Sequence, residues 1–204
     1  MHYETKYVKD VYNKISNNFN NTRTYTWGWI DESINNLPKN SIICDVGCGN
    51  GRNMMNKNHK FIGVDNSKEL LKICINKGLN VVEGDMCDIP LKTGMMDIVI
   101  SVASFHHLAT EERRIKALME MKRIIKSSGK IILSVWSINQ PDKTRRKFSK
   151  YGDTIVKWNQ MGEIYDRYYY IFQLEEINKL FDKVSLKVEK HMWDCGNEIF
   201  TLTI

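Results

Sequence analysis

"ICDVGCGNGRN", residues 43–53, puts three of the chain's twelve glycines within five positions, directly behind a short apolar run. Ile42–Val46 has the texture of a buried strand, interrupted only by Asp45, and Gly47, Gly49 and Gly51 follow it as a G-x-G-x-G turn. Glycine lets a backbone turn sharply and lets a ligand approach where a Cβ would otherwise stand. The spacing departs from the dinucleotide fingerprint at its third glycine, and no G-K-[ST] follows to grip a phosphate. The loop therefore cradles something other than a pyrophosphate.

On either side the texture alternates. Apolar positions at three-to-four spacing predict a helix over 4–19, and a second is expected over 25–37, closed by Pro38. Beyond the glycine loop, strands are expected over 61–64, 81–82, 97–102 and 130–136. Helices are expected over 67–77, with Ser67 as N-cap, and over 110–125, opening on "TEER". Strands alternating with helices imply a parallel sheet covered on both faces. After a helix over 173–181, strands over 184–192 and 198–204 are separated only by "DCGN", so they must pair antiparallel as a hairpin at the sheet's edge. The expectation is one α/β domain over 1–204, a doubly wound seven-stranded sheet, mostly parallel with a C-terminal antiparallel hairpin. Residues 1–38 add N-terminal helices. Residues 139–170 form a long aromatic and cationic insertion, and a loop of that length is usually functional.

Composition narrows the function. No apolar run is long enough to span a bilayer, and "MHYETKYVKD" is too polar to be the apolar part of a signal peptide. Five cysteines, an odd number with no C-x-x-C pair, suit buried thiols in a reducing cytoplasm rather than disulfides or a zinc site. The net charge of +6 is unevenly spread. Residues 113–150 hold twelve Lys/Arg against Glu120 and Asp142 alone, which points to a nucleic-acid surface.

Two further acids close later strands: Asp65 after "FIGV" and Asp85 in "EGDM". Ligands of open α/β sheets bind at these carboxyl ends, where an acid accepts ribose hydroxyls. Asp65 would take the ribose, and Asp85 with Met86 the adenine. An adenosine beside a glycine-lined, non-phosphate neighbour fits S-adenosylmethionine, its amino-acid end held by Asp45, Gly47 and Gly49. Cys48, Gly51, Asn66, Ser101 and Val102 complete the expected cofactor set. At this point the chain resembles the class I (Rossmann-like) S-adenosylmethionine-dependent methyltransferases, whose first motif is a strand ending in D-x-G-x-G-x-G.

More specific residues follow the fourth strand. "ISVASFHHLATEERR" (100–114), "VYNKISNNFNNTR" (11–23), "SVWSINQ" (134–140) and "RYYYIFQLEEINKLF" (167–181) together are similar to the eukaryotic tRNA wobble-uridine 5-carboxymethyl methyltransferases. The resemblance implies esterification of the carboxylate of 5-carboxymethyluridine in the tRNA anticodon stem-loop. It also implies a partner, a small zinc-binding activator subunit that pairs with a sheet edge. By the same resemblance the "V-Y" helix with Arg23, His106, His107, Arg113 or Arg114, Trp136 and Arg167 would line the substrate pocket. A carboxylate is already ionised at neutral pH, so its methylation needs alignment and no general base. Arg145, Arg146 and Lys147 in the basic stretch would grip stem phosphates, and Trp158, Tyr168 or Tyr169 would stack an unpaired base. Two alternatives share the cofactor residues: a methyltransferase for a quinone or a small carboxylic acid, and a non-catalytic RNA-binding subunit.

Overall fold

The computed structural model describes residues 2–144 and 147–204. Its helices are α1 (His2–Glu4), α2 (Asp10–Thr22), α3 (Gly28–Asn35), α4 (Lys68–Asn76), α5 (Glu111–Ile124) and α6 (Leu174–Lys183), with a π-helical stretch, Thr5–Lys9, joining α1 to α2. Its strands are β1 (Ile42–Val46), β2 (Lys60–Asp65), β3 (Val81–Glu83), β4 (Met96–Val102), β5 (Ile125–Trp136), β6 (Gly152–Gln160), β7 (Glu163–Ile171), β8 (Lys187–Asp194) and β9 (Asn197–Thr203). Seven strands form one sheet in the order β3-β2-β1-β4-β5-β9-β8. The first five run parallel, and β9 pairs antiparallel with both β5 and β8. The expected sheet and its terminal hairpin are both present. The hairpin turns at Cys195 and Gly196, both at positive φ, as a two-residue turn between right-twisted strands requires.

Alternation along the central strands decides which helix covers which face. Ile43, Ile98, Ile100 and Ile132 pack under Trp29, Ile30 and Ile34 of α3. Their neighbours Cys44, Val99, Ile131 and Leu133 face the other way, onto Leu118 and Met121 of α5 and Leu180 and Phe181 of α6. Strands buried on both sides have no polar face, hence the continuous apolar runs. The Ser67 and Thr110 caps form as expected, accepting from the N–H groups of Leu70 and Arg113. Between β1 and β2 the crossover shrinks to one 3₁₀ turn, Arg52–Met54.

The insertion is where the structure departs from the sequence-based picture. Much of 139–170 is a regular two-stranded antiparallel sheet, β6–β7, turning at Met161 and Gly162. Thr154, Val156 and Trp158 face inward while Asp153, Ile155 and Lys157 face solvent. Two features hide this alternation in the sequence: an apolar Ile155 on the outer face, and a Met-Gly turn in place of Asn-Gly or Asp-Gly. The hairpin carries Trp158 onto Val11 and Ile15 of α2.

Candidate active site

Strand order reverses around β1, and there the carboxyl ends of β1, β2 and β4 open into one crevice. It encloses about 1170 Å³ counted out to its open mouth. One half is built on the glycine loop. The N–H groups of Gly47 and Cys48 donate to Val64 O at 2.7 and 3.1 Å, and Gly49 N–H donates to Asp65 Oδ2 at 2.8 Å. Gly47 sits at φ 77°, and a Cβ there would lie 2.5 Å from Ser104. This backbone passes where only glycine fits.

The acids sort into three states. Asp65 lines the crevice; burial raises its pKa, against backbone N–H donors from Ser67 and Gly49. Asp45 lies wholly buried beneath the loop, with Asn53 donating to Oδ2 at 3.3 Å and no partner for Oδ1 among the described residues. Burial pushes its pKa up to about 7. Asp85 lines the crevice but is gripped by Arg113, whose Nη2 lies 2.9 and 2.7 Å from its two oxygens. Although burial opposes it, the Cys87 N–H and Arg113 hold Asp85 below the usual carboxylate range. Of the expected donor-binding groups, the glycine loop and Asp65 line the crevice, whereas Asp45 does not. Cys48, Asn66, Met86 and Val102 stand in the same wall.

The other half comes from α2 and β7. Arg23, Arg167, Tyr12, Tyr169, His107 and Trp136 all line it. The Arg23 and Arg167 guanidiniums lie 5.2 and 4.7 Å from the Trp158 ring. Neither they nor Arg52, which also lines the crevice, pair with a carboxylate among the described residues. Burial and the neighbouring Arg167 push the Arg23 pKa down. Arg167 is 5% exposed, and its Nε has no hydrogen-bond acceptor among the described residues. Trp136 and Tyr169 stack face to face at 4.1 Å.

Several expected site residues stand elsewhere. Arg113 is committed to Glu4 and Asp85, which ties the N-terminal helix to the Asp85 end of the crevice. Arg114 turns away. Its guanidinium lies 3.5 Å from the Tyr170 ring centre and donates to the carbonyls of Leu108 and Ala109. His106 is wholly buried behind the wall, its Nδ1 accepting from the Trp136 N–H. Ser101 is buried beside Ser104, and the crevice is lined by Ser104 instead. Gly51 and Lys147 do not line it either. Arg145 and Arg146 lie outside the described residues.

The basic stretch is not one surface. At the far end of α5 and the start of β5, Lys122 donates to the carbonyls of Val184 and Ser185. Arg123 pairs with Glu120, Lys126 with Asp97 and Lys130 with Glu189. Except for Glu120, these partners arrive from elsewhere in the chain, so a window of sequence overstates the free charge.

Sequence reading passed over Ser104, Arg52 and Trp27, all crevice residues. Arg52 directly follows the third glycine, a signal that was available. Ser104 and Trp27 carried none.

Residues 44–133 match the family described as "Methyltransferase domain". Among solved structures, an S-adenosylmethionine-dependent methyltransferase from Clostridium acetobutylicum superposes with TM-score 0.71 at 16% identity, covering 95% of this chain and 98% of that one. A putative methyltransferase solved in complex with the Haloferax volcanii Trm112 methyltransferase activator gives TM-score 0.71 at 15% identity, covering 96% of each. At those identities the likeness concerns fold alone. The tRNA (carboxymethyluridine(34)-5-O)-methyltransferase alkbh8 of Xenopus tropicalis is 41% identical over 72% of this chain, which spans only 23% of that longer relative. The protein of Schizosaccharomyces pombe bearing the same enzyme name is 33% identical over 96% of this chain and 95% of its own length. With a relative of that identity matched along nearly its whole length, the chain belongs to the tRNA (carboxymethyluridine(34)-5-O)-methyltransferase family.

Proposed function

We propose that this chain acts in the cytoplasm on tRNA, esterifying the carboxylate of 5-carboxymethyluridine at position 34 with the methyl group of S-adenosylmethionine. The observation that carries the reading is Arg167. A buried guanidinium with an unsatisfied Nε, beside a second unpaired arginine and within the donor's crevice, calls for an anion. When bound, S-adenosylmethionine supplies an electrophilic methyl on a sulfonium. The protein's part is alignment: the arginines hold one carboxylate oxygen and leave the other free to attack. No base is required, and the neutral ester loses the arginines' grip, which favours release. The test is incubation with labelled S-adenosylmethionine and tRNA lacking only the ester, followed by nucleoside mass spectrometry. Label absent from uridine 34 would sink the reading.

The donor half carries its own pH prediction. The Asp45 pKa of about 7 lies above its ordinary 3.8, so folding favours the protonated form. Stability from this group is full below the ordinary value and lost as pH rises through about 7. An ammonium at Asp45 favours the charged form, so donor affinity should rise by about tenfold between about pH 6 and about pH 8, with proton release. Calorimetry in buffers of different ionisation heat reads the proton, and Asp45→Asn should flatten the profile.

The RNA grip is assigned to the basic residues within 143–150 rather than to those of α5 and the start of β5. Lys147→Glu with Lys150→Glu should weaken stem-loop binding and reduce the salt slope by about one to two units, and Lys126→Glu should leave both unchanged. Equal effects from the two variants would reject that assignment.

A small zinc-binding activator is the proposed partner, supported by the structural neighbour solved with a methyltransferase activator. Such a subunit would extend the sheet at an edge strand. Co-expression should then raise the soluble yield, and equal yield and activity without it would refute the partner.

A further inference from the structure

We propose that Tyr12 and His107 are positioning residues: a one-way hydrogen-bond relay that turns the Tyr12 oxygen into a fixed acceptor for Arg167, leaving the arginine's remaining N–H groups aimed at the acceptor carboxylate. This rests on the function proposed above.

The direction follows from one fixed point. His107 Nδ1 lies 2.7 Å from the backbone carbonyl oxygen of Tyr168, which only accepts, so Nδ1 carries the hydrogen. His107 is buried, with Tyr12 facing it from α2, Arg167 and Tyr169 from β7, and His106 from its own turn. No acid stands among these groups to support a second proton. Burial is the main cause that lowers the His107 pKa to about 3, and Arg167 adds to it; the Tyr168 carbonyl opposes both without prevailing. The ring is therefore neutral, and Nε2 must accept. Tyr12 Oη, 3.0 Å away, must donate to it. With its hydrogen spent, that oxygen has only lone pairs for its other neighbours, Arg167 Nη1 at 3.4 Å and Tyr169 Oη at 3.1 Å. Tyr169 donates inward in turn.

Two consequences follow. A neutral histidine whose only N–H is given to Tyr168 cannot hold a carboxylate, so His107, expected at the substrate, acts through Tyr12 instead. And with both tyrosine hydroxyl hydrogens pointing into the relay, the guanidiniums are the charged donors of the acceptor end.

The test has a spectroscopic and a kinetic arm. In the ¹⁵N-labelled full chain, the His107 ring, assigned by its loss in His107→Gln, should show the neutral Nδ1–H tautomer from about pH 5 to about pH 9. An Nε2–H tautomer, or an imidazolium in that range, overturns the relay. Kinetically, Tyr12→Phe should raise the acceptor KM by about tenfold, with donor affinity within about twofold of wild type. Glutamine can place its carbonyl where Nε2 stood and asparagine cannot. His107→Gln should therefore stay within about threefold of wild type in acceptor KM, and His107→Asn should match Tyr12→Phe. In a Tyr12→Phe background the two His107 variants should become equal. If they behave alike in both backgrounds, His107 serves packing alone and the proposal fails. If the wild type esterifies no carboxymethyluridine, the proposed function falls while the tautomer measurement still decides the relay.

Discussion

Replacing Arg167 by alanine is expected to lower kcat/KM for carboxymethyluridine-containing tRNA by about a hundred- to a thousandfold, the loss that follows when one partner of a buried charged pair is removed. The side chain is 5% exposed and has no carboxylate of its own among the described residues, so the acceptor's carboxylate would be its ion-pair partner. Donor affinity should stay within about twofold, because Arg167 stands on β7, away from the glycine loop, and this also reports that the variant is folded. Arg167→Lys should recover less than about a tenth of the lost activity, since an ammonium cannot reproduce a planar fork. Steady-state kinetics alongside donor titration checks both. Activity within about threefold of wild type in Arg167→Ala would remove the acceptor site from this wall.

Gly47→Ala is expected to weaken donor binding by about a hundredfold, from two separable causes. A non-glycine residue in the left-handed region costs about 1–2 kcal/mol, and overpacking adds about 1–3 kcal/mol. The added Cβ would meet the Cβ and Oγ of Ser104 at 2.5 Å each. The companion change Ser104→Gly removes both atoms, so the double variant should regain about tenfold and keep only the backbone term. Calorimetric donor titration of the four proteins closes the cycle. Unchanged donor affinity in Gly47→Ala would show that the donor does not sit on this loop.

Local chemistry was enough for the sheet and for the glycine-lined half of the crevice. Strand 42–46, the glycines behind it and the acids ending β1 and β2 all act through the backbone beside them, so their spacing in sequence is their spacing in space. Ser67 and Thr110 cap helices that begin at the next residue for the same reason. The C-terminal hairpin was legible because the few residues of "DCGN" leave room for no other connection.

The acceptor half joins residues far apart in sequence. Tyr12 meets His107 across 95 residues and Tyr169 across 157. Neighbours in sequence separate: Arg113 reaches Asp85, while Arg114 lies under Tyr170. His106 faces the core while His107 faces the crevice. Charges of α5 and of the start of β5 found carbonyls and acids contributed by other elements. Sequence determined what each residue can donate, accept or bury, because those are properties of side chains and of the turn or strand that carries them. Which arginine is left without an acid, and which way a histidine's hydrogen points, depend on partners that only the folded chain brings within 3 Å or so. Tertiary structure alone decided them.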